Sequence, residues 1–300
     1  MDINMPSGNM LGFHASIRGG IDRAVDRLDR LNCPTGQIFT KSNRQWKARQ
    51  LKEDEVENFI QKSQELTGPV VAHTSYLINP ANNEPEGREK SIRSLITELK
   101  RAQRLKIPHL ILHPGLHKGE GEKKGLQLIV DCLDEVFSAT PKVKTTLLLE
   151  NTAGQGTALG YKLEHLHEIR QRVEAPARIA YCLDTCHLFA GGYPLGTKEK
   201  YEQTIKQIDT ILGRDSIKIF HLNDALKEEG SRVDRHTHIG EGKIGPPGFR
   251  LLVNDPRWKE VPKILETPVE NNEWEKYYGK NLKTLLSYRE ENWEDVKQNE

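Results

Sequence analysis

Nine side chains stand out among those able to bind divalent metal ions: His73, His113, Glu150, Asp184, His187, His221, Asp234, His236 and Glu266. Five imidazoles and four carboxylates, with no obligatory thiolate, suit Zn²⁺ in open catalytic coordination, with Mn²⁺ or Fe²⁺ as substitutes. Nine ligands are too many for one ion. With one carboxylate bridging, they would serve three ions and leave positions for water. Such a cluster suits phosphodiester hydrolysis, because paired ions lower the pKa of a shared water and stabilise the pentacovalent oxyanion and its leaving group.

The placement of these residues is more telling than their number. The runs "LGFHAS", "GQIFT", "PVVAH", "PHLILHP", "KTTLLLE", "RIAYCLD", "SIKIFHL" and "PKILET" read as strands. They end at His14, Thr40, His73, His113, Glu150, Asp184, His221 and Glu266, so all but one finish in a metal-capable side chain. One histidine after one strand is ordinarily a capping or surface residue. The repetition is different, since gathering carboxylates and imidazoles in one mouth is costly unless cations compensate. Two further segments add ligands. "DTCH" sets His187 three residues beyond Asp184, and "RVDRHTHIGEG" offers Asp234 and His236 two apart in a glycine-flanked loop.

The cysteines of "YCLDTCH", Cys182 and Cys186, are the less informative half of that stretch. Three residues separate them and no second pair follows, so neither a zinc ribbon nor a thioredoxin-like motif is supported. Cys182 lies in an apolar run and reads as core.

Between the runs lie amphipathic stretches such as "SIRSLITELKRAQRL" and "GLQLIVDCLDEVFSA", whose apolar residues recur at three and four. Eight strands alternating with helices predict an α/β fold, a (β/α)₈ TIM barrel with the metal site at the C-terminal ends of its strands. A doubly wound sheet would carry a glycine fingerprint after its first strand, and "HASIRGG" does not match one. No Pro/Ser-rich linker interrupts the alternation. One domain over residues 1–300 is expected, with its core at about 10–290 and short polar tails such as "ENWEDVKQNE".

A formal net charge of +1 supplies no global field toward polyanions, so nucleic-acid affinity would have to be local. The basic stretch "KSNRQWKARQLK", with its tryptophan, is such a patch. No signal-like N-terminus and no run of apolar residues long enough to span a bilayer is present, and four cysteines make no disulfide framework. A cytoplasmic protein without membrane contact is expected.

In order along the chain, "GFHAS", "HTSYLIN", "HPGLH", "ENTAGQG", "CLDTCH", "HLND", "GSRVDRH", "GEGKIG" and "ILETP" resemble the endonuclease IV family of apurinic/apyrimidinic (AP) endonucleases, over nearly the whole chain. The resemblance implies a TIM barrel with three zinc ions. His73, His113 and Glu150 would hold one; Asp184, His221 and Glu266 would hold a second, with Glu150 bridging; His187, Asp234 and His236 would hold the third. Glu150 and Glu266 are then the catalytic carboxylates. The implied reaction is hydrolysis of the DNA backbone 5′ to an abasic site, leaving a 3′-hydroxyl and a 5′-deoxyribose phosphate, with trimming of blocked 3′ ends. This is the deoxyribonuclease IV type of activity in base excision repair, on duplex DNA and by a monomer. By the same resemblance Arg44, Tyr76 and Leu77 enter the duplex, as an apolar or aromatic wedge can. Extruding the sugar costs less where a base is already missing. No lysine nucleophile is required, so no Schiff-base step is expected.

Phe13, Leu116 and Leu226 depart from the family's usual residues. They bear on DNA contact and remove no ligand. The alternative is a metal-dependent sugar isomerase or epimerase of similar barrel fold, which would need only one or two ions and leave His187, Asp234 and His236 without a task.

Overall fold

The protein is described by a computed structural model in which Ile3, Met5 and residues 9–289 are placed. The polar segment 291–300 lies outside the described residues. In the described residues ten strands run β1 Leu11–Phe13, β2 Gly36–Phe39, β3 Val70–His73, β4 His109–Leu112, β5 Thr146–Glu150, β6 Ile179–Asp184, β7 Ile217–Leu222, β8 Asp224–Ala225, β9 His236–Thr237 and β10 Lys263–Leu265. Among the described residues nine α-helices are interspersed: α1 Arg23–Arg30, α2 Glu53–Gln64, α3 Pro85–Arg104, α4 Glu122–Ser138, α5 Leu163–Arg172, α6 Thr185–Gly191, α7 Lys198–Ile211, α8 Gly245–Asn254 and α9 Trp274–Ser287.

Each of the eight apolar runs became a strand of one parallel sheet, in the order β1-β10-β7-β6-β5-β4-β3-β2. Val-, Ile- and Leu-rich strands of this kind are stable only when both faces are covered. Helices cover the outside, and the sheet curls so that its other face covers itself. The seam between β1 and β2 closes just beyond β1, where His14 bridges to Gln37 and the Ala15 N–H donates to the Gln37 carbonyl at 2.7 Å. Gly12 is required there, since a Cβ at that position would stand 2.1 Å from the Thr35 carbonyl oxygen.

Side chains alternate in and out of a strand with period two. Val71, Ile111, Leu148, Ala180, Cys182, Ile219 and Ile264 form a separate apolar cluster inside the barrel. Two residues further along their strands stand His73, His113, Glu150, Asp184 (two beyond Cys182), His221 and Glu266. The alternation that packs the interior therefore also lifts these side chains onto its rim at the C-terminal strand ends, where barrels of this kind place active sites. Phe13 has the opposite parity. It faces outward and stacks on Tyr278 and Trp274 of α9 at centroid distances of 4.5 and 5.6 Å, away from the rim.

At the other end of β10 lies Lys263, 3 % exposed, its amine donating to the carbonyls of Trp258 at 2.6 Å and Val261 at 3.0 Å. Two acceptors match the two N–H bonds of a neutral amine. Burial, with Arg289 adding, lowers this group from 10.5 to about 7. The unfolded chain then binds the extra proton between pH 7 and 10.5, so this group makes stability rise with pH through that window and adds nothing to the slope below it. Chemical denaturation of wild type and Lys263→Met from pH 7 to 10 is expected to show the variant lacking a pH-dependent gain of at most about 5 kcal/mol.

Candidate metal centre

All nine sequence-predicted ligands meet at one mouth of the barrel. The inner part is centred on Glu150, which is fully buried. Its Oε2 lies 3.1 Å from His73 Nε2 and from His113 Nε2, and its Oε1 lies 3.0 Å from His221 Nδ1 and 3.4 Å from His187 Nδ1. His221 Nδ1 also approaches Glu266 Oε2 at 3.3 Å and Asp184 Oδ2 at 4.0 Å. The outer part is the Asp234 carboxylate, 3.2 Å from His187 Nε2 and 3.3 Å from His236 Nε2. Three groups, His73/His113/Glu150, Glu150/Asp184/His221/Glu266 and His187/Asp234/His236, each keep their ligand atoms within 4.8 Å of one another. Glu150 belongs to two of them.

Burial would raise the Glu150 carboxyl, but the imidazoles, His221 foremost and then His113, hold it well below the ordinary range. Glu266 is likewise held low against burial, by His221 and His14. Burial opposes the charged form of His187 and His221 too; Asp184, Asp234 and Glu150 lift His187, and Cys182, Glu266 and Glu150 lift His221, both well above the ordinary histidine value. The cluster is thus a set of opposed charges in a dry place, where each sign depends on the other.

The rings are oriented as metal-binding histidines are, with one nitrogen engaged from outside and the other aimed inward. His73 Nδ1 meets the Thr74 carbonyl at 2.7 Å, His187 Nδ1 the Asn151 carbonyl at 2.9 Å, and His221 Nε2 the Gln37 Oε1 at 2.7 Å. His236 Nδ1 faces the Glu266 carbonyl at 3.4 Å, while its Nε2 is buried without a hydrogen-bond partner and faces Asp184 and Asp234. A buried nitrogen lone pair among carboxylates is what a cation would satisfy. The donor set therefore fits divalent ions of the zinc type.

Residues that sequence reasoning missed hold this geometry. Gln37, fully buried, donates to Glu266 Oε1 at 2.6 Å while accepting from His221. His14, counted as a strand end but not as part of the centre, places Nδ1 3.0 Å from Glu266 Oε1. Asn223 donates to Asp184 Oδ2 at 2.6 Å and accepts from the Glu266 N–H, and Asn151 accepts from the Asp184 N–H at 2.7 Å. Asp184 also caps α6 by accepting from the His187 N–H at 2.9 Å, which fixes the "DTCH" turn.

The ribbon β8–β9 carries His236 into the mouth, and Asp224 at its base binds the following loop. The Asp224 carboxylate accepts from the N–H groups of Gly240, Gly242, Ile244 and Gly245. A Cβ on Gly242 would stand 2.5 Å from Asp224 Oδ1, so "GEGKIG" needs that glycine for the close approach. The Cys182 and Cys186 sulfurs also lie within 4.8 Å of the ligand atoms of Glu150 and His221 and of Asp184 and His236, respectively. Burial pushes the thiols of Cys182 and Cys186 up to about 12, and Cys186 points at the Arg235 carbonyl, 3.6 Å away.

Arg44 and Tyr76 are exposed near the rim, and Leu77 is partly so. The Tyr76 ring lies 5.5 Å from His73 and 6.2 Å from His113 between centroids, so it belongs to the mouth rather than the core. A cavity of about 370 Å³ opens beside it, lined among others by Leu116, Gln155, His187 and Asp234. Leu116 and Leu226 are both exposed. Among the described residues no helix is long and apolar enough to cross a membrane.

Comparison with known proteins places the chain in a family. The model of the xylose isomerase-like TIM barrel family matches residues 25–288. The probable endonuclease 4 of Chloroflexus aggregans is 46 % identical over 259 residues, 86 % of this chain and 90 % of the relative. That of Geotalea daltonii is 41 % identical over 281 residues, 93 % and 99 % of the two chains. The crystal structure of endonuclease IV from Thermus thermophilus superposes with a TM-score of 0.83 at 33 % identity, covering 93 % of this chain and 98 % of that one. A D-tagatose 3-epimerase-like protein reaches a TM-score of 0.70 at 17 % identity, which is a likeness of fold alone. The chain belongs to the endonuclease IV family of apurinic/apyrimidinic endonucleases.

Proposed function

We propose that this protein hydrolyses the phosphodiester 5′ to abasic sites in duplex DNA, leaving a 3′-hydroxyl and a 5′-deoxyribose phosphate, and that it trims blocked 3′ ends at the same site. The observation that carries this is the convergence of nine candidate ligands in three groups, two of which share Glu150, in a chain of this family. His73, His113 and Glu150; Glu150, Asp184, His221 and Glu266; and His187, Asp234 and His236 would hold three divalent ions, zinc in the first instance, with Mn²⁺ or Fe²⁺ as substitutes. When bound, such ions supply an activated water and stabilise the charge that develops on the phosphoryl and leaving oxygens.

The chain's own residues do the rest. Glu150 and Glu266 position the reacting centre, with Gln37 and His14 fixing the second carboxylate. Tyr76 and Leu77 fill the step vacated by the missing base, Arg44 follows the strand, and the cavity beside Tyr76 takes the extruded sugar. The protein would act as a cytoplasmic monomer.

The test is incubation of metal-replete protein with a labelled duplex bearing one abasic site. One nick 5′ to the lesion, with an end that a polymerase can extend, is expected. Absence of nicking, or cutting of undamaged duplex at the same rate, would refute the proposal.

A further inference from the structure

Away from the metal ligands, one buried ion pair stands out because the chemistry does not use it. Lys41, just beyond β2, and Glu98, in the middle of α3, have side chains 2 % and 1 % exposed, with Nζ and Oε1 3.4 Å apart. Burial pushes the Glu98 carboxyl up, while the Lys41 ammonium and the Ser75 N–H pull it back. A buried pair of this kind gives little net stability, since the cost of desolvating two charges offsets their attraction, so what it can supply is a specific arrangement.

That arrangement is visible in what the two groups hold. Lys41 Nζ donates to the Gln45 carbonyl at 2.7 Å. The Glu98 carboxylate accepts from the Ser75 N–H at 3.2 and 3.3 Å, and the Ser75 hydroxyl donates to the Asn43 carbonyl at 2.8 Å while accepting from the Leu77 N–H at 3.3 Å. The carbonyls on either side of Arg44 are therefore both tied down, one by Lys41 and one by Ser75. Tyr76 is bracketed in the same way, by Ser75 and Leu77. Arg101, one turn further along α3, donates to the Thr40 carbonyl at the root of the first loop.

We infer that the Lys41–Glu98 pair is a positioning latch that presets the Arg44 loop and the Tyr76–Leu77 loop as one rigid jaw for damaged duplex. This rests on the proposed endonuclease function. Binding to a flexible jaw would spend free energy on ordering it, so the latch acts on affinity for duplex rather than on the chemical step.

The test uses full-length, metal-replete wild type, Glu98→Gln and the double variant Lys41→Met/Glu98→Leu, which removes both charges together. Amide hydrogen exchange in segments 42–46 and 74–78 is expected to quicken at least about 10-fold in the double variant, with the rest of the barrel unchanged. On abasic duplex its kcat/KM should fall about 10-fold or more through KM, with kcat held within about twofold. Hydrolysis of bis(p-nitrophenyl) phosphate, a diester too small to engage the loops, should stay at the wild-type rate. Glu98→Gln, which strands the Lys41 charge but keeps an acceptor for Ser75, should show the same direction and serves if the double variant fails to fold. Unchanged exchange in both segments overturns the latch. Quickened exchange with unchanged KM overturns its role in binding duplex. Failure of the wild type to nick abasic duplex would refute the endonuclease function instead, and the exchange measurement would still decide whether the latch exists.

Discussion

Glu150→Gln is expected to lower turnover on abasic duplex by more than about 100-fold, since disturbing residues that merely orient metal ligands already costs about 10–100-fold. Glu150 is fully buried, and its two oxygens face four histidines. An amide is isosteric but uncharged, and it must turn its NH₂ toward one pair of ring nitrogens. It can neither bridge two ions nor oppose the charge collected around it. Glu266→Gln should lose activity comparably, because Gln37 and His14 are built to meet a carboxylate there. Far-UV circular dichroism should be unchanged in both variants, since neither side chain packs the apolar interior. Substantial residual cleavage in both would exclude a mechanism centred on these carboxylates.

Removal of metal by a strong chelator should abolish nicking altogether and lower thermal stability, and added Zn²⁺ should restore both. The stability effect follows from mass action: each site filled at 100 times its Kd contributes about 2.7 kcal/mol. The loss should be felt first at the outer group, where His187 and His236 converge on the half-exposed Asp234 carboxylate. Differential scanning calorimetry with and without chelator checks the stability change, and a gel assay on the abasic duplex checks the activity. Full nicking in chelator would contradict the role assigned to the nine residues.

The convergence of the strand-end side chains was legible in the sequence because period-two alternation ties them to the barrel's packing. Once Val71, Ile111, Leu148, Cys182, Ile219 and Ile264 point inward, the residues two further on must do so too. The "DTCH" pair was legible because a strand ending at a helix N-terminus brings positions three apart together. What orients the ligands was harder to see. Gln37, Asn151 and Asn223 are amides, which carry no metal-ligand signature, although a polar residue in the buried run "GQIFT" was a usable signal. The β8–β9 ribbon is two residues per strand, too short for any periodicity, and its shape follows from Asp224 gathering backbone N–H groups from a distant loop. His14 ended a run like the others, but only the closed β1–β2 seam shows that it faces Glu266.

On the proposed reading, nine side chains from distant segments grip three divalent ions at one rim. Quantitative metal analysis of the purified, zinc-replete protein tests it most directly. About three ions per chain is the expected count, falling in the His187→Ala and Asp234→Ala variants as the outer group is lost. A count of one or two that these substitutions leave unchanged would contradict the account and favour an isomerase-like centre on the same barrel.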